Sequence, residues 1–496
     1  MAIWTRASLH ELIISKLAGY KFIVVANREP YVHQYAGDEI ECIRPASGMA
    51  TAVDPIMIAS GGTWVAHGSG DADRATVDDH DHIPMPPESP AYTLRRVWLT
   101  KEQEDGYYYG LANEGLWPLC HITFTRPVFQ PQDWQRYKEV NELFARAVLE
   151  EAGSEPTFVF IHDYHFCLLP RLLKQSGGNK LMIAHFWHIP WPNRETFRAF
   201  PWKEELLEGL LGSDLLGFHI RYHCLNFLDT VDRSLEAKVD YDRFEITRGG
   251  KVTKVHPFPI GIDFATHAAL THSPAVDHAM EQWRKRFRLQ DKLIGAGIER
   301  LDYTKGIPER LRGLDLFFEQ HPEYVNKIVF VQVAVPSRSH LPQYRQIEDE
   351  VDRLVEEVNW RWGNPFWKPV ILVKEHQGPI DMMALHRLSS FFIVSSLHDG
   401  MNLVAKEFVA SRADCEGVLI LSQFAGAYRE LSDAVAVNPF AIQELADAIH
   451  TAITMPAREQ QRRMQRMREL VAENNCYRWG GKILSALLKL DIPEDE

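Results

Sequence analysis

The chain has 496 residues, 45 % of them hydrophobic and 24 % charged, with a formal net charge of −13. That length can bury the cores of two or more domains, and the acidic balance excludes the broad basic face that general nucleic-acid binding needs. No apolar run approaches the roughly 20 residues of a membrane-spanning helix, and residues 1–20 lack a signal-type apolar core, so a cytoplasmic protein with no membrane partner is expected.

Short apolar runs alternate with helical stretches along most of the chain. Phe22–Val25, Phe158–Ile161, Leu181–Ala184 and Asp214–Phe218 are strand candidates in the first half. Leu293–Ala296, Lys327–Val331, Val370–Val373, Phe391–Val394 and Val418–Leu421 fill the second. Near-continuous apolar strands separated by helices predict parallel sheets covered on both faces. The fold class expected is therefore α/β, with two doubly wound domains of similar size and a ligand cleft between them. The seam is placed near Phe258–Asp263, where Pro and Gly interrupt the pattern. Residues 71–98, acidic and proline-rich, read as an irregular surface excursion. The segment from 263 to about Lys292 reads as a helix leading into the second sheet. Pro456–Glu473 reads as a charged helix, and Tyr477-Arg-Trp479 precedes a final helix ending near Leu490.

In such sheets ligands bind beyond the carboxyl ends of the strands, and the polar clusters fall there. Asn27-Arg28 follows the first strand, and Arg44 and Gly48 are placed in the loop beyond it. An arginine in that position can grip an anion bidentately, and Gly48 would allow close backbone approach. Tyr107-Tyr108-Tyr109 and Trp117 surround Asn113 with aromatic faces, suited to sugar stacking or to a core cluster. Asp163, in His162-Asp-Tyr-His165, and His188 each end a strand. Asp163 could accept from sugar hydroxyls, and His188 could hydrogen-bond a hydroxyl or act as acid or base. The histidines find no third ligand at metal spacing, so no metal is expected. Arg300 and Lys305 follow the strand at 293–296, and two cations five residues apart can converge on a diphosphate leaving group. The alternative is a loop ion pair of Arg300 with Asp302 or Glu299. Arg338 is a further candidate anion ligand. In Leu397–Val409 a strand runs into a helix whose first turn is expected to hold Gly400 and Asn402, with amide groups open to an anion. Asp399 stands before that turn, and Glu407 lies about two helical turns further. Six cysteines (Cys42, Cys120, Cys167, Cys224, Cys415, Cys476) without CxxC spacing are expected to be reduced thiols.

Seven segments in order resemble the trehalose-6-phosphate synthases, retaining glycosyltransferases of the two-domain GT-B type. They are His162–His165, His188-Ile-Pro190, Gly212–His219, Arg300–Gly306, Val335–Arg338, Asp399–Glu407 and Leu421–Ala427, within a resemblance running from about Lys21 to about Leu490. The resemblance implies an N-terminal acceptor-binding Rossmann-like domain at 1–258 and a nucleotide-sugar-binding domain at 259–476, with a helix at 477–496 returning to the first. It implies Arg300 and Lys305 on the donor diphosphate, helped by backbone amides of Gly400, Met401, Asn402 and Leu403. Glu407 is implied on the ribose, Asp399 and His188 on the donor glucose, and Gly48 near donor phosphate. Arg28, Tyr108, Trp117, Asp163 and Arg338 are implied on the acceptor side, with the two arginines on its phosphate. The implied catalytic set is His188, Arg300, Lys305 and Asp399. The implied partners are small molecules only, a nucleotide glucose (UDP-glucose) and a sugar phosphate, with no cofactor and no metal; a homo-oligomer is compatible with this reading. The implied reaction makes α,α-trehalose 6-phosphate from glucose 6-phosphate. Three departures stand out: Met49 after Gly48, Trp191 and His398. The opening Asn27-Arg-Glu-Pro-Tyr31 is closer to glucosylglycerol-phosphate synthases, which keeps glycerol 3-phosphate as an alternative acceptor. A catalytically silent sugar-phosphate sensor is the alternative of another class.

Overall fold

The computed structural model describes residues 3–45 and 48–488. The chain divides into two compact units, Met1–Ile260 with Cys476–Glu496, and Gly261–Asn475. Its strands are β1 (Lys21–Val25), β2 (Val32–Ala36), β3 (Glu39–Ile43), β4 (Thr63–His67), β5 (His82–Met85), β6 (Tyr92–Val97), β7 (Thr157–His162), β8 (Leu181–Phe186) and β9 (Leu215–Phe218). There follow β10 (Lys238–Asp240), β11 (Glu245–Arg248), β12 (Lys251–Pro257), β13 (Leu293–Arg300), β14 (Ile328–Val335), β15 (Val370–Val373), β16 (Phe391–Val394), β17 (Val418–Ser422) and β18 (Val435–Val437).

The first unit holds a ten-stranded sheet in the order β10-β11-β12-β9-β8-β7-β1-β4-β6-β5. Its centre is parallel, and β7 and β8 are buried at every position. That is what lets apolar side chains run along both faces without alternation. From β1 the chain builds outward through β4 and β6 on one side, then through β7, β8 and β9 on the other. The order therefore reverses between β1 and β7, the position where open α/β sheets leave a crevice at their carboxyl ends. The second unit repeats the logic in six parallel strands, β15-β14-β13-β16-β17-β18, with its switch point between β13 and β16. Both units are doubly wound, as the GT-B type requires. Among the described residues no helix is long and apolar enough to cross a membrane.

Several expectations are corrected. Residues 71–98 are not an irregular excursion: β6 pairs in parallel with β4, and β5 covers its other edge. The guanidinium of Arg96 replaces an apolar residue at a core position of β6. It is fully buried, with Glu29 at 2.8 Å and Asp73 at 2.8 Å. The helix expected before the second sheet is two, Phe264–Thr271 and Pro274–Phe287. Tyr477 and Trp479 lie inside the last helix, Cys476–Leu488, not before it. The expected end near Leu490 falls outside the described residues.

Candidate functional site

In the first unit the polar residues beyond β1, β7 and β8 form one network around the switch point. Tyr107 donates its hydroxyl proton to Asn27 Oδ1 at 3.0 Å, and Arg28 donates to the Tyr108 hydroxyl at 3.0 Å. The tyrosines come from a wide π-helical segment, Asp105–Leu116, followed by a short helix that buries Trp117 against Tyr164. Arg28 and Tyr108 are thus brought together, whereas Trp117 packs on His121 and Tyr164.

Asp163 has φ near +73°, a conformation L-residues adopt at a cost of about 1–3 kcal/mol. That turn aims its carboxylate at backbone: Oδ1 accepts from the amides of Tyr164 at 3.0 Å and His188 at 3.2 Å. Asp163 therefore fixes where His188 emerges from β8. The His188 ring shares a 3.0 Å hydrogen bond between its Nε2 and Nδ1 of His162. It also packs near Trp479, whose indole donates to the Phe258 carbonyl. Burial pushes His188 down to about 3, so the imidazole is neutral at physiological pH. It can orient a hydroxyl, but it carries no ready imidazolium proton.

One expectation fails here. Gly48 is not in a loop; it is the first residue of the helix Gly48–Ser60. Ala46 and Ser47 before it lie outside the described residues. Arg44 is already paired with the buried Asp54, which also accepts from Tyr92 at 2.6 Å. The departure Trp191 is absorbed by the core: it is fully buried, stacks on Phe197 and donates to Thr230 Oγ1 at 3.1 Å.

In the second unit the segments leaving β13 and β16 pack directly against each other. Gly306 has φ near +62°, and a Cβ there would stand 2.1 Å from the Ser395 carbonyl oxygen, so only glycine allows this approach. Beneath it, the fully buried Arg310 grips Glu299 through two bonds of 2.7 and 2.6 Å, with Ser395 Oγ and Gln332 at 2.9 and 2.8 Å. This set joins residues of β13 and β14 to the end of β16. On that platform Lys305 Nζ meets Asp399 Oδ2 at 2.6 Å, with both side chains 14 % exposed. Ser396 and Asn402 add bonds of 3.2 and 3.3 Å to the same oxygen. The backbone of Gly400 and Met401 is held by Gly426 and Ala427: a Cβ on Gly426 would lie 1.9 Å from Gly400 O, and the Ala427 amide donates to Met401 O.

The helix begins later than its sequence suggests. Asn402 is its cap, with φ near +84° and a bond from the Ala405 amide, and the helix runs Leu403–Ser411. Gly400 and Asn402 are thus outside the first turn, and Glu407 stands about one turn in rather than two. Among the described residues no side chain hydrogen-bonds the Glu407 carboxyl, and burial pushes it up to about 7.

Arg300 does not pair with Glu299, which belongs to Arg310. Its Nη2 lies 4.0 Å from Asp302 Oδ2, the same carboxylate oxygen that Arg338 approaches at 3.7 Å. Arg310 and Ser395 are site residues the sequence pattern missed, because their partners are distant along the chain; of the two loop partners offered for Arg300, the structure favours Asp302. Among the described residues, the ligand atoms of His321, Glu323 and His450 lie close enough to share a metal ion. They sit on helical segments leading away from these strand ends.

The Glycosyltransferase family 20 profile matches residues 20–489. The chain belongs to glycosyltransferase family 20. It is 36 % identical to a trehalose-6-phosphate synthase of Mycolicibacterium vanbaalenii, covering 95 % of this chain and 97 % of that one. It is 35 % identical to a bifunctional trehalose-6-phosphate synthase/phosphatase of Thermoproteus tenax over 96 % of this chain, and spans 64 % of that protein's length. Among solved structures, one described as trehalose-6-phosphate from E. coli bound with UDP-2-fluoro glucose superposes with a TM-score of 0.84 at 31 % identity, covering 95 % of this chain and 99 % of that one. A UDP-forming trehalose-phosphate synthase from Burkholderia xenovorans in complex with glucose-6-phosphate gives 0.85 at 28 % identity, covering 94 % and 99 %.

Proposed function

We propose that this chain transfers glucose from UDP-glucose to glucose 6-phosphate with retention, releasing UDP and α,α-trehalose 6-phosphate. The observation that carries the reading is the second switch point, where Lys305 meets Asp399 just before the capped helix bearing Glu407 and Arg300 closes β13. A diphosphate leaving group needs positive charge that grows in value as the C1–O bond breaks, and Arg300 and Lys305 supply it without a metal. Lys305 is held by Asp399 until a donor arrives; Asp399 then has a carboxylate oxygen for a glucose hydroxyl while its cation turns to phosphate. Neutral His188, set by Asp163 and His162, orients the donor sugar. Glu407 takes the ribose; Arg28 and Arg338 are the candidates for the acceptor phosphate, with Tyr108 a further acceptor-side candidate. In a front-face reaction the acceptor oxygen bonds to C1 as the diphosphate departs, and the departing phosphate oxygen takes the acceptor proton. Free thiols at all six cysteines fit a reducing cytoplasm.

The test is nucleotide release with UDP-, ADP- and GDP-glucose, each offered glucose 6-phosphate or glycerol 3-phosphate. The expected result is UDP release with glucose 6-phosphate and a disaccharide phosphate product. Release with glycerol 3-phosphate alone would move the function to glucosylglycerol-phosphate synthesis, and no release with any pair would point to another acceptor or to a silent sensor.

A further inference from the structure

One carboxylate at the second switch point, assigned above to neither substrate, faces two of the groups that are. Asp302 is fully buried immediately after β13. Its Oδ1 is fixed by the amide and hydroxyl of Thr304 at 3.0 and 2.8 Å. Its Oδ2 faces the Tyr344 hydroxyl at 3.3 Å, Arg338 Nη1 at 3.7 Å and Arg300 Nη2 at 4.0 Å. Tyr344 closes the set by accepting from Arg338 at 2.5 Å. Arg338 itself turns through a left-handed conformation, φ near +54°, that carries its side chain back into this cluster, where it is 7 % exposed.

A buried carboxylate fixed by three hydrogen-bonding groups cannot follow either guanidinium if that guanidinium moves; the cations must adjust to it. Despite burial, Arg300, Arg338 and Lys305 and the Thr304 amide keep Asp302 below the usual carboxylate range, so it is ionised whenever the enzyme works. A single fixed negative charge between two cations makes the position of each depend on the other. Loss of Arg338 leaves Arg300 the larger of the two remaining cationic influences on the carboxylate.

We propose that Asp302 is a positioning residue, the shared counter-ion that sets Arg300 and Arg338 together and so couples the donor-diphosphate and acceptor-phosphate halves of the site. The inference rests on the proposed assignment of those two arginines. With Arg338 removed, Asp302 competes more strongly for Arg300, and the donor is gripped less well although Arg338 itself serves the acceptor.

The experiment is a double-mutant cycle on the full chain, reading the Kd of UDP-glucose and the KM of each substrate. Arg338→Ala should weaken UDP-glucose several-fold, in addition to raising the KM of glucose 6-phosphate. In an Asp302→Asn background, Arg338→Ala should no longer change UDP-glucose affinity, while its effect on glucose 6-phosphate persists. A general structural defect would not produce this selective loss of coupling. An unchanged UDP-glucose Kd in Arg338→Ala overturns the proposal without recourse to the Asp302 variant, so it remains testable if Asp302→Asn fails to fold. An equal effect of Arg338→Ala in both backgrounds overturns it as well. Failure of the underlying assignment has a different signature: Arg300→Ala would leave UDP-glucose turnover unchanged, or Arg338→Ala would leave the acceptor KM unchanged.

Discussion

Glu407→Gln gives the sharpest test of the nucleotide site, because this carboxyl is raised to about 7 by burial with no side-chain donor on it. If it accepts hydrogen bonds from ribose hydroxyls, the ionised form binds and the protonated form does not. The wild-type Kd for UDP-glucose should then scale as one plus the protonated-to-ionised ratio. With a pKa of about 7, affinity should weaken about thirtyfold from about pH 8.5 to about pH 5.5. UDP-glucose is the right ligand, since its phosphates carry no group titrating in that window. The glutamine variant keeps the shape but loses charge assistance, roughly halving the strength of each bond, so it should bind about tenfold more weakly at alkaline pH. Its affinity should also be flat with pH. Calorimetry in buffers of differing ionisation heat should detect release of most of one proton on binding near about pH 6.5 in the wild type, and none in the variant. The sign for folding runs the other way. A raised carboxyl contributes stability that is fully present below its unfolded value near 4.5 and is lost as pH rises through about 7, so the glutamine variant should gain stability over wild type as the medium turns alkaline. A wild-type Kd that does not change with pH, or a variant that keeps the same slope, would refute the ribose role.

Arg300→Ala should lower kcat by about 10²–10³-fold with a smaller effect on acceptor KM, because its charge serves the departing diphosphate; an unchanged kcat would remove it from the mechanism. Gly306→Ala places a Cβ against the Ser395 carbonyl in a left-handed conformation that alone costs ~1–2 kcal/mol. Its Tm should fall and UDP-glucose binding should weaken, whereas wild-type melting would contradict the close approach of the two strand ends. Trp191→Phe should cost about 1–3 kcal/mol in urea unfolding, through a lost indole bond and a cavity, with both KM values unchanged. A changed KM would mean the residue reaches the substrates.

The strands were legible where physics made them uniform. β7, β8, β14 and β16 are buried along almost their whole length, so their sequences are mostly apolar: β16 without interruption, the others broken only by Thr157, His162, His185 and Gln332. β6 was hidden by Arg96, whose charge breaks the apolar pattern although Glu29 and Asp73 make it a core residue. The β2–β3 hairpin was hidden for the opposite reason: β3 is exposed along its whole length, so no buried face marks it as a core strand.

The site follows the same division. The candidate ligand residues lie at or shortly after strand ends, Arg300 closing β13 and Arg28, His188 and Asp399 following β1, β8 and β16, so they could be found from position alone. What holds them could not. Arg310 reaches Ser395 across 85 residues, and Lys305 reaches Asp399 across 94. Both pairings depend on β13 lying beside β16, a neighbour relation set by strand order. Local composition carries no trace of it. The consequence is specific to the second unit: its cations stand in fixed relation because the switch point brings two strand ends together, and Gly306, Arg310 and Asp302 then remove the freedom that remains. A sequence-guided substitution confined to Arg300, Lys305 or Asp399 would therefore test the contacts with substrate, while substitutions at Gly306 or Asp302 test whether those contacts are preorganised before the substrate arrives.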